Sequence, residues 1–259
     1  MNGVELPDLT ADAETAKQHL AEFGCARLTG ALDPAQLARL RERIVGIAAE
    51  EVRDDRDYVY SGGSNQRIWL LVNRGREFLE LAEHPVGLDV LASLLGRELV
   101  VSNLSANITG PGGSPMKPHW DQDWAERPWP HALAAHIIWM IDDFTVANGA
   151  TLIAPGSHLV DTIPPDEDMR PATGPAGTAL LLDARTWHGT GANVSTGERR
   201  IGVLAYYSRP YIRLQENFAL SMDGRVRESL TPEQRRLYGF ESYEYLNMVG
   251  GPPRDEPRY

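Results

Sequence analysis

Through the first hundred residues the apolar positions recur at helical spacing. The stretch "TADAETAKQHLAEFG" predicts a helix opened by Thr10 and closed at Gly24, with Leu20 and Phe23 on one face. "DPAQLARLRERIVGIAAEE" predicts a second, with Asp33 as N-cap and Pro34 in the first helical position. Its Leu37, Leu40, Ile44 and Ile47 form an apolar stripe at three- and four-residue intervals. "GREFLELAEH" and "PVGLDVLASLLG" predict two shorter helices. From Glu98 the texture changes to β-rich runs, "ELVVSNLSANIT", "ALAAHIIWMIDDF", "GTALLLDAR" and "RIGVLAYYS". Turn clusters such as "GPGGSP", "ANGA", "PGSH" and "GTGANVSTGE" separate them. Strands in succession without helices between them predict an antiparallel sandwich or barrel, a mainly β fold with flanking helices. One domain over residues 1–259 is expected, with a helical face over 10–97, a β core over 98–210 and a cover over 211–259. That cover mixes helical text, "TPEQRRLYG", with a Pro/Gly-rich end, "GGPPRDEPRY".

Composition narrows the partners. The 259 residues suffice for one well-buried core, and the 42% hydrophobic and 24% charged fractions are those of an ordinary globule. The formal charge of −11 argues against nucleic acid and against an anionic membrane, both of which need a basic footprint. Cys25 is the single cysteine, so an intramolecular disulfide and a multi-thiolate metal site are excluded. The N-terminal "MNGVELPDLTADAE" does not read as a signal peptide, and runs such as "HIIWMI" are too short to span a bilayer. A cytoplasmic protein acting on a small molecule is the expectation, as a monomer or a homodimer.

Candidate chemistry concentrates in "KPHWDQDW". In an extended segment His119 and Asp121, at i and i+2, share a face on which they can hold one ion, while Trp120 points away. Such triplets also arise by chance as ordinary polar surface, so a third ligand must come from elsewhere. His19 and His84 read as solvated helix residues, and His158 as a turn residue bonded to backbone. His131 and His136, five apart, fall on opposite faces of a strand and do not chelate together. His188 stands at the end of the strand "TALLLDARTW", ahead of the glycine-rich "HGTGANVSTGE". Two histidines and one carboxylate on one side of an ion leave the opposite positions open, as in non-haem Fe(II) oxygenases. Arg199 follows eleven positions after His188. Strand alternation groups it with Ile201, Val203 and Ala205, taken as the inward face, and assigns Arg200 to the surface. An inward guanidinium suits a carboxylate, whose two oxygens its planar fork can bind together.

With "HWDQ", "IIWMIDDFTVANGATLIAPGSH", "WHGTGANVSTGERR" and the later "YIRLQENFALS", the chain resembles the phytanoyl-CoA dioxygenase (PhyH-like) family of Fe(II)/2-oxoglutarate oxygenases from about residue 15 to about 245. The resemblance implies a double-stranded β-helix, or jelly roll, of cupin-like kind. It implies His119, Asp121 and His188 as iron ligands, and 2-oxoglutarate and O2 as cosubstrates, with release of succinate and CO2. It also implies Arg199 as partner of the distal 2-oxoglutarate carboxylate, with Thr151, Asn107 and Lys117 around the same cosubstrate. Thr151 equally fits an ordinary strand threonine. Because halogenating relatives replace the carboxylate ligand with a small residue, Asp121 argues for hydroxylation or a related oxidation.

For the substrate, Gln66, Arg67 and Trp69 of "SGGSNQRIWLL" border the expected pocket, as do Gln122, Trp124 and Trp129 of the loop after the first ligands. Arg213 of "YIRLQEN" is a further candidate wall, or pairs with Glu216. Trp124 and Trp129 fit pocket mouth and core packing equally well. The mixed lining suggests a small or mid-sized organic substrate, and the lack of a basic cluster for a CoA phosphate favours natural-product tailoring. Two other readings remain: a cupin-like metalloenzyme that does not use 2-oxoglutarate, and a non-catalytic jelly-roll binding protein.

Overall fold

The computed structural model describes residues 3–60 and 64–250, so the end of the cover, from 251, and positions 61–63 of "SGGSNQRIWLL" lie outside the described residues. Helix α1 (Ala13–Phe23) begins two residues later than its sequence suggests. Asp12 is the N-cap, accepting from Thr15 N at 2.7 Å, while Thr10 only supports the cap by accepting from Asp12 N. Strand β1 (Cys25–Leu28) follows, and then α2 (Pro34–Arg53), capped by Asp33 with Gln36 returning a bond to the cap backbone. Two short strands, β2 (Tyr58–Val59) and β3 (Asn65–Ile68), precede α3 (Arg76–Ala82) and α4 (Pro85–Leu95).

The core strands are β4 (Val100–Thr109), β5 (Ala134–Met140), β6 (Thr151–Ile153), β7 (Arg170–Pro171), β8 (Ala179–Asp183), β9 (His188–Thr190) and β10 (Arg200–Ser208). Short helices α5 (Phe218–Ser221), α6 (Gly224–Ser229) and α7 (Pro232–Leu237) close the described chain. Seven strands form one antiparallel sheet in the order β1-β8-β5-β10-β4-β3-β2, and three form a second in the order β7-β6-β9. The central strands pair across long stretches of sequence, β8 with β5, β5 with β10 and β10 with β4, the connectivity of a double-stranded β-helix. The segments before α2 and α3 supply β1 at one edge and β2 and β3 at the other.

The large sheet is covered on both faces. Its outer face carries Ala106 and Ile108 of β4, Ile137 and Trp139 of β5, and Ile201, Val203 and Tyr207 of β10. These pack against Leu20, Leu40, Ile44, Val90 and Leu91 of the helices. Fully burying each such side chain contributes about 1.5–3 kcal/mol. The inner face holds a second apolar cluster, Cys25, Ile138, Met140, Leu180 and Leu182, joined by Phe144, Ile153 and Ala172 from the small sheet and its flanking turns. His84, expected in solvent, precedes α4 and sets its ring edge-on to buried Trp139 at 4.9 Å, because helix and sheet meet there. Among the described residues no helix is long and apolar enough to cross a membrane.

Candidate metal centre

β9 and the segment 116–119 bring the first histidines together. His119 N donates to His188 O at 2.8 Å and His188 N to His119 O at 3.1 Å, an isolated antiparallel bridge. Gly189 permits that approach: a Cβ there would stand 2.7 Å from the Met116 carbonyl oxygen. The two imidazoles lie 4.6 Å apart between centroids. Each Nδ1 faces a backbone carbonyl, Lys117 O for His119 and Thr186 O for His188, both at 3.0 Å. A carbonyl only accepts, so each Nδ1 carries the proton and each Nε2 presents a lone pair.

Both Nε2 atoms face Asp121, His119 at 3.5 Å from Oδ1 and His188 at 3.2 Å from Oδ2. Donor atoms of the three residues all lie within 4.8 Å of one another, so a small adjustment brings them onto one ion at bonds of about 2.0–2.2 Å. Burial alone would push the Asp121 carboxyl up, but the imidazoles of His136, His188 and His119 around it hold it well below the usual range. The same carboxylate raises the basicity of His119. Oδ2 is buried without an aligned hydrogen bond. An anionic oxygen and two Nε2 lone pairs converging on one point make a donor set that fits a divalent first-row metal, with the Nδ1 bonds fixing tautomer and ring orientation.

The strand leading into His188 is held by a buried ion pair. Arg185 grips Asp183 through Nε to Oδ1 at 3.1 Å and Nη2 to Oδ2 at 2.7 Å, and Nη1 reaches Trp129 O at 3.4 Å. Gln122 does similar work on the other side. It is buried, donates to His131 O and accepts from Leu133 N at 2.7 Å, so it orders its loop and is not available to a substrate. Trp120 points away from Asp121 and packs on Trp187 at 4.2 Å, with Arg127 stacked over both Trp120 and Trp129 at 3.8 and 3.9 Å. Trp129 is thus a structural ring, its Nε1 donating to Ala125 O. Trp124 is half exposed, and its Nε1 donates to Tyr206 Oη at 3.2 Å.

The inward-facing arginine is Arg200, where the sequence pointed to Arg199. Arg199 is exposed and precedes β10, whereas Arg200 is buried at 3% exposure. On β10 the inner face is Arg200, Gly202, Leu204 and Tyr206; Ile201, Val203 and Ala205, taken from sequence as inward, pack on the helices instead. The physical reason is burial on both faces, which removes the polar-out, apolar-in signal. Arg200 donates from Nη2 to Thr109 Oγ1 at 2.9 Å and lies 4.1 Å over Phe144, while its Nε has no partner. Burial pulls it down to about 10.

Asn107 and Arg67 stand opposite each other on β4 and β3, and Gly202 of β10 flanks Asn107 on its other side. Asn107 Oδ1 and Arg67 Nε are buried and unpartnered, and Arg67 is close enough to Asp121 to feel its charge. Thr151 is buried on β6, beside β9, where Ile153 pairs with His188. The Lys117 side chain is exposed, and its carbonyl, not its ammonium, serves the centre. Gln66 faces α2, donating to Ala48 O at 3.2 Å, because it shares the outer register of Ile108. Trp69 is 40% exposed with Arg67 stacked over it at 4.8 Å. Arg213 is exposed and lines a separate groove of about 910 Å³ under the C-terminal cover, with Tyr211, Phe240 and Tyr243; none of the three donor residues lines it. His136, set aside in the sequence, is the residue missed: its Nε2 lies 2.7 Å from Asp121 Oδ2.

Comparison with known proteins now bears on this geometry. Residues 20–201 match the phytanoyl-CoA dioxygenase (PhyH) family. The chain belongs to the phytanoyl-CoA dioxygenase family. Among PhyH relatives, the dioxygenase af480 of Aspergillus fumigatus is 32% identical over 92% of this chain and 81% of its own. The multifunctional dioxygenase prhA of Penicillium brasilianum is 24% identical over 90% and 84%. Among solved structures, the epimerase SnoN, in complex with Fe3+, α-ketoglutarate and a nogalamycin compound, superposes with a TM-score of 0.63 at 21% identity, covering 82% of this chain and 90% of its own. HygX of Streptomyces hygroscopicus, with nickel and 2-oxoglutarate bound, does so with a TM-score of 0.63 at 13% identity, covering 77% and 88%. These likenesses carry the jelly-roll fold of the PhyH chain.

Proposed function

We propose that this PhyH chain is an Fe(II)/2-oxoglutarate-dependent oxygenase acting on a small or mid-sized organic molecule in natural-product biosynthesis. The observation that carries the reading is the convergence of His119, Asp121 and His188 within 4.8 Å, with both histidine tautomers set by backbone carbonyls. The three residues would hold the iron, and the bound iron with 2-oxoglutarate supplies the oxidising chemistry, yielding succinate and CO2 from the cosubstrate. The protein's own residues bind and orient. Arg200, buried with a single hydrogen-bond partner, would take the distal carboxylate of 2-oxoglutarate through its fork, with Thr151 and Asn107 near it. Arg67 adds a second cation on the inner face, while Ile138, Leu180 and Leu182 keep the opposite part of that face dry.

Asp121 supports an oxygen-inserting or related oxidation over halogenation, since the carboxylate occupies the position a halide would need. The relatives support the natural-product setting, and the acidic chain with its buried lone thiol supports a cytoplasmic enzyme without nucleic-acid or membrane partners. The test is anaerobic addition of Fe(II) to the purified protein, followed by 2-oxoglutarate, monitored for the weak visible charge-transfer band of the chelate. The band should develop in wild type and be absent in His188→Ala. No band in wild type, or an undiminished one in His188→Ala, refutes the assignment.

A further inference from the structure

His136 is an imidazole on the inner face of β5, followed on that face by Ile138 and Met140 of the apolar cluster. It pairs in register with Leu182 on one side and Tyr206 on the other. Among the described residues its Nδ1 finds no partner at all, a costly placement for a buried polar ring. The contact that accounts for it is Asp121. His136 Nε2 lies 2.7 Å from Oδ2, within ion-pair distance, while neither atom makes an aligned hydrogen bond. Tyr206 completes the arrangement: its ring packs on His136 at 4.4 Å, and its hydroxyl donates to the Asp121 backbone oxygen at 3.1 Å. One strand pair thus holds Asp121 at two points, the main chain through Tyr206 and the carboxylate through His136. His136 stands outside the group formed by His119, Asp121 and His188, whose donor atoms all lie within 4.8 Å of one another.

We propose that His136 is a positioning residue of the metal centre, its Nε2–H fixing the rotation of the Asp121 carboxylate so that the ion is met by one oxygen rather than two. This rests on the metal-binding reading above. A one-oxygen contact leaves three positions of an octahedral ion open, and a two-oxygen contact would take one of them. Partners of this kind around metal ligands are worth about 10- to 100-fold in metal affinity.

The test is anaerobic Co(II) titration of metal-free protein, followed by visible absorption, with thermal melting of the metal-free form alongside. His136→Leu should weaken Co(II) binding about 10- to 100-fold and change the visible bands. His136→Gln, which keeps an N–H donor, should recover most of both. Equal Co(II) affinity and identical bands in wild type and His136→Leu overturn the proposal. If Gln fails to rescue while melting like wild type, the imidazole is itself a ligand, and the positioning role is overturned. Should His136→Leu fail to fold, Tyr206→Phe removes the main-chain hold without changing core volume, and a few-fold loss of Co(II) affinity is expected. Unchanged affinity there overturns the two-point hold. Wild type that takes up no Co(II) overturns the metal centre itself, whereas normal uptake by wild type and His136→Leu alike overturns only the role of His136.

Discussion

Replacing Arg200 with leucine should weaken cosubstrate binding strongly and, at the same time, leave the metal-free protein slightly more stable. The guanidinium is buried with one hydrogen bond, Nη2 to Thr109 Oγ1 at 2.9 Å, and one ring contact, Phe144 at 4.1 Å. Burial lowers it from 12.5 to about 10. A base depressed in the folded state is penalised while charged, so this cost is fully present at pH 7 and is relieved as pH rises through about 10. At about 1.4 kcal/mol per unit the penalty is about 3 kcal/mol. Leucine forfeits about 1 kcal/mol for the hydrogen bond and about 1 kcal/mol for the cation–π contact. The net is a gain of about 1 kcal/mol, or about 2–4 °C in Tm for a chain of this size. Binding moves the other way. Truncating one member of a buried, hydrogen-bonded charge pair costs about 2–5 kcal/mol, which is about 30- to 5,000-fold in Kd for 2-oxoglutarate. Arg199→Ala, at an exposed position, should change neither quantity. Calorimetric titration of the Co(II)-loaded protein with 2-oxoglutarate, together with melts of the metal-free form, measures both. Wild-type affinity in Arg200→Leu, or a comparable loss in Arg199→Ala, refutes the reasoning.

Two further outcomes follow from buried groups. Arg185→Met leaves Asp183 buried and unpaired ahead of His188, which should cost about 3–5 kcal/mol. Urea titration should show that loss, and the double variant Asp183→Leu with Arg185→Met should recover part of it; a single variant as stable as wild type would mean that the pair holds nothing in place. Burial pushes the Cys25 thiol up to about 12, from 9.0 when exposed. Above pH 9 the unfolded chain loses this proton while the folded chain keeps it, so stability falls by about 1.4 kcal/mol per pH unit toward 12. Cys25→Ala should flatten the onset of that fall between pH 9 and 10, before buried Tyr206 and Tyr207 join it, and wild type should resist thiol reagents at pH 8; rapid labelling of folded protein contradicts this.

The long β runs were legible because apolar stretches of five to ten residues bounded by turn residues have few alternatives, and β4, β5, β8 and β10 follow them closely. Which way a strand faces was not legible from β10. Both of its faces are buried, one against helices and one inside the jelly roll, so Ile201, Val203 and Ala205 marked a core without saying which core. The polar alternation on β4 held a usable signal. Asn103, Ser105, Asn107 and Thr109 occupy one face while Leu104, Ala106 and Ile108 occupy the other. A polar row on a strand of a two-sided sheet points to the interior that must hold a polar ligand, and β10 pairs Arg200 with Thr109 and Gly202 with Asn107 on that row. The pairing itself is a long-range property that no local pattern contains.

His136 escaped for the same reason. Its relation to His131 placed the two on opposite faces of a strand, but the residue it meets is Asp121, fifteen positions away and brought near only when the loop closes through Gln122, Arg127 and the Trp120–Trp129 stack. That closure also explains why the segment after the ligands carries so many aromatic rings. Trp120 and Trp129 clamp Arg127, while Trp124 alone among the loop's tryptophans reaches back, through Tyr206, to the Asp121 backbone. A loop anchored this way can vary its exposed residues while the carboxylate it delivers stays in place. On the role proposed for His136, the geometry of the metal centre therefore depends on the inner faces of β5 and β10, and the half-exposed Trp124 ties its loop to that centre through Tyr206.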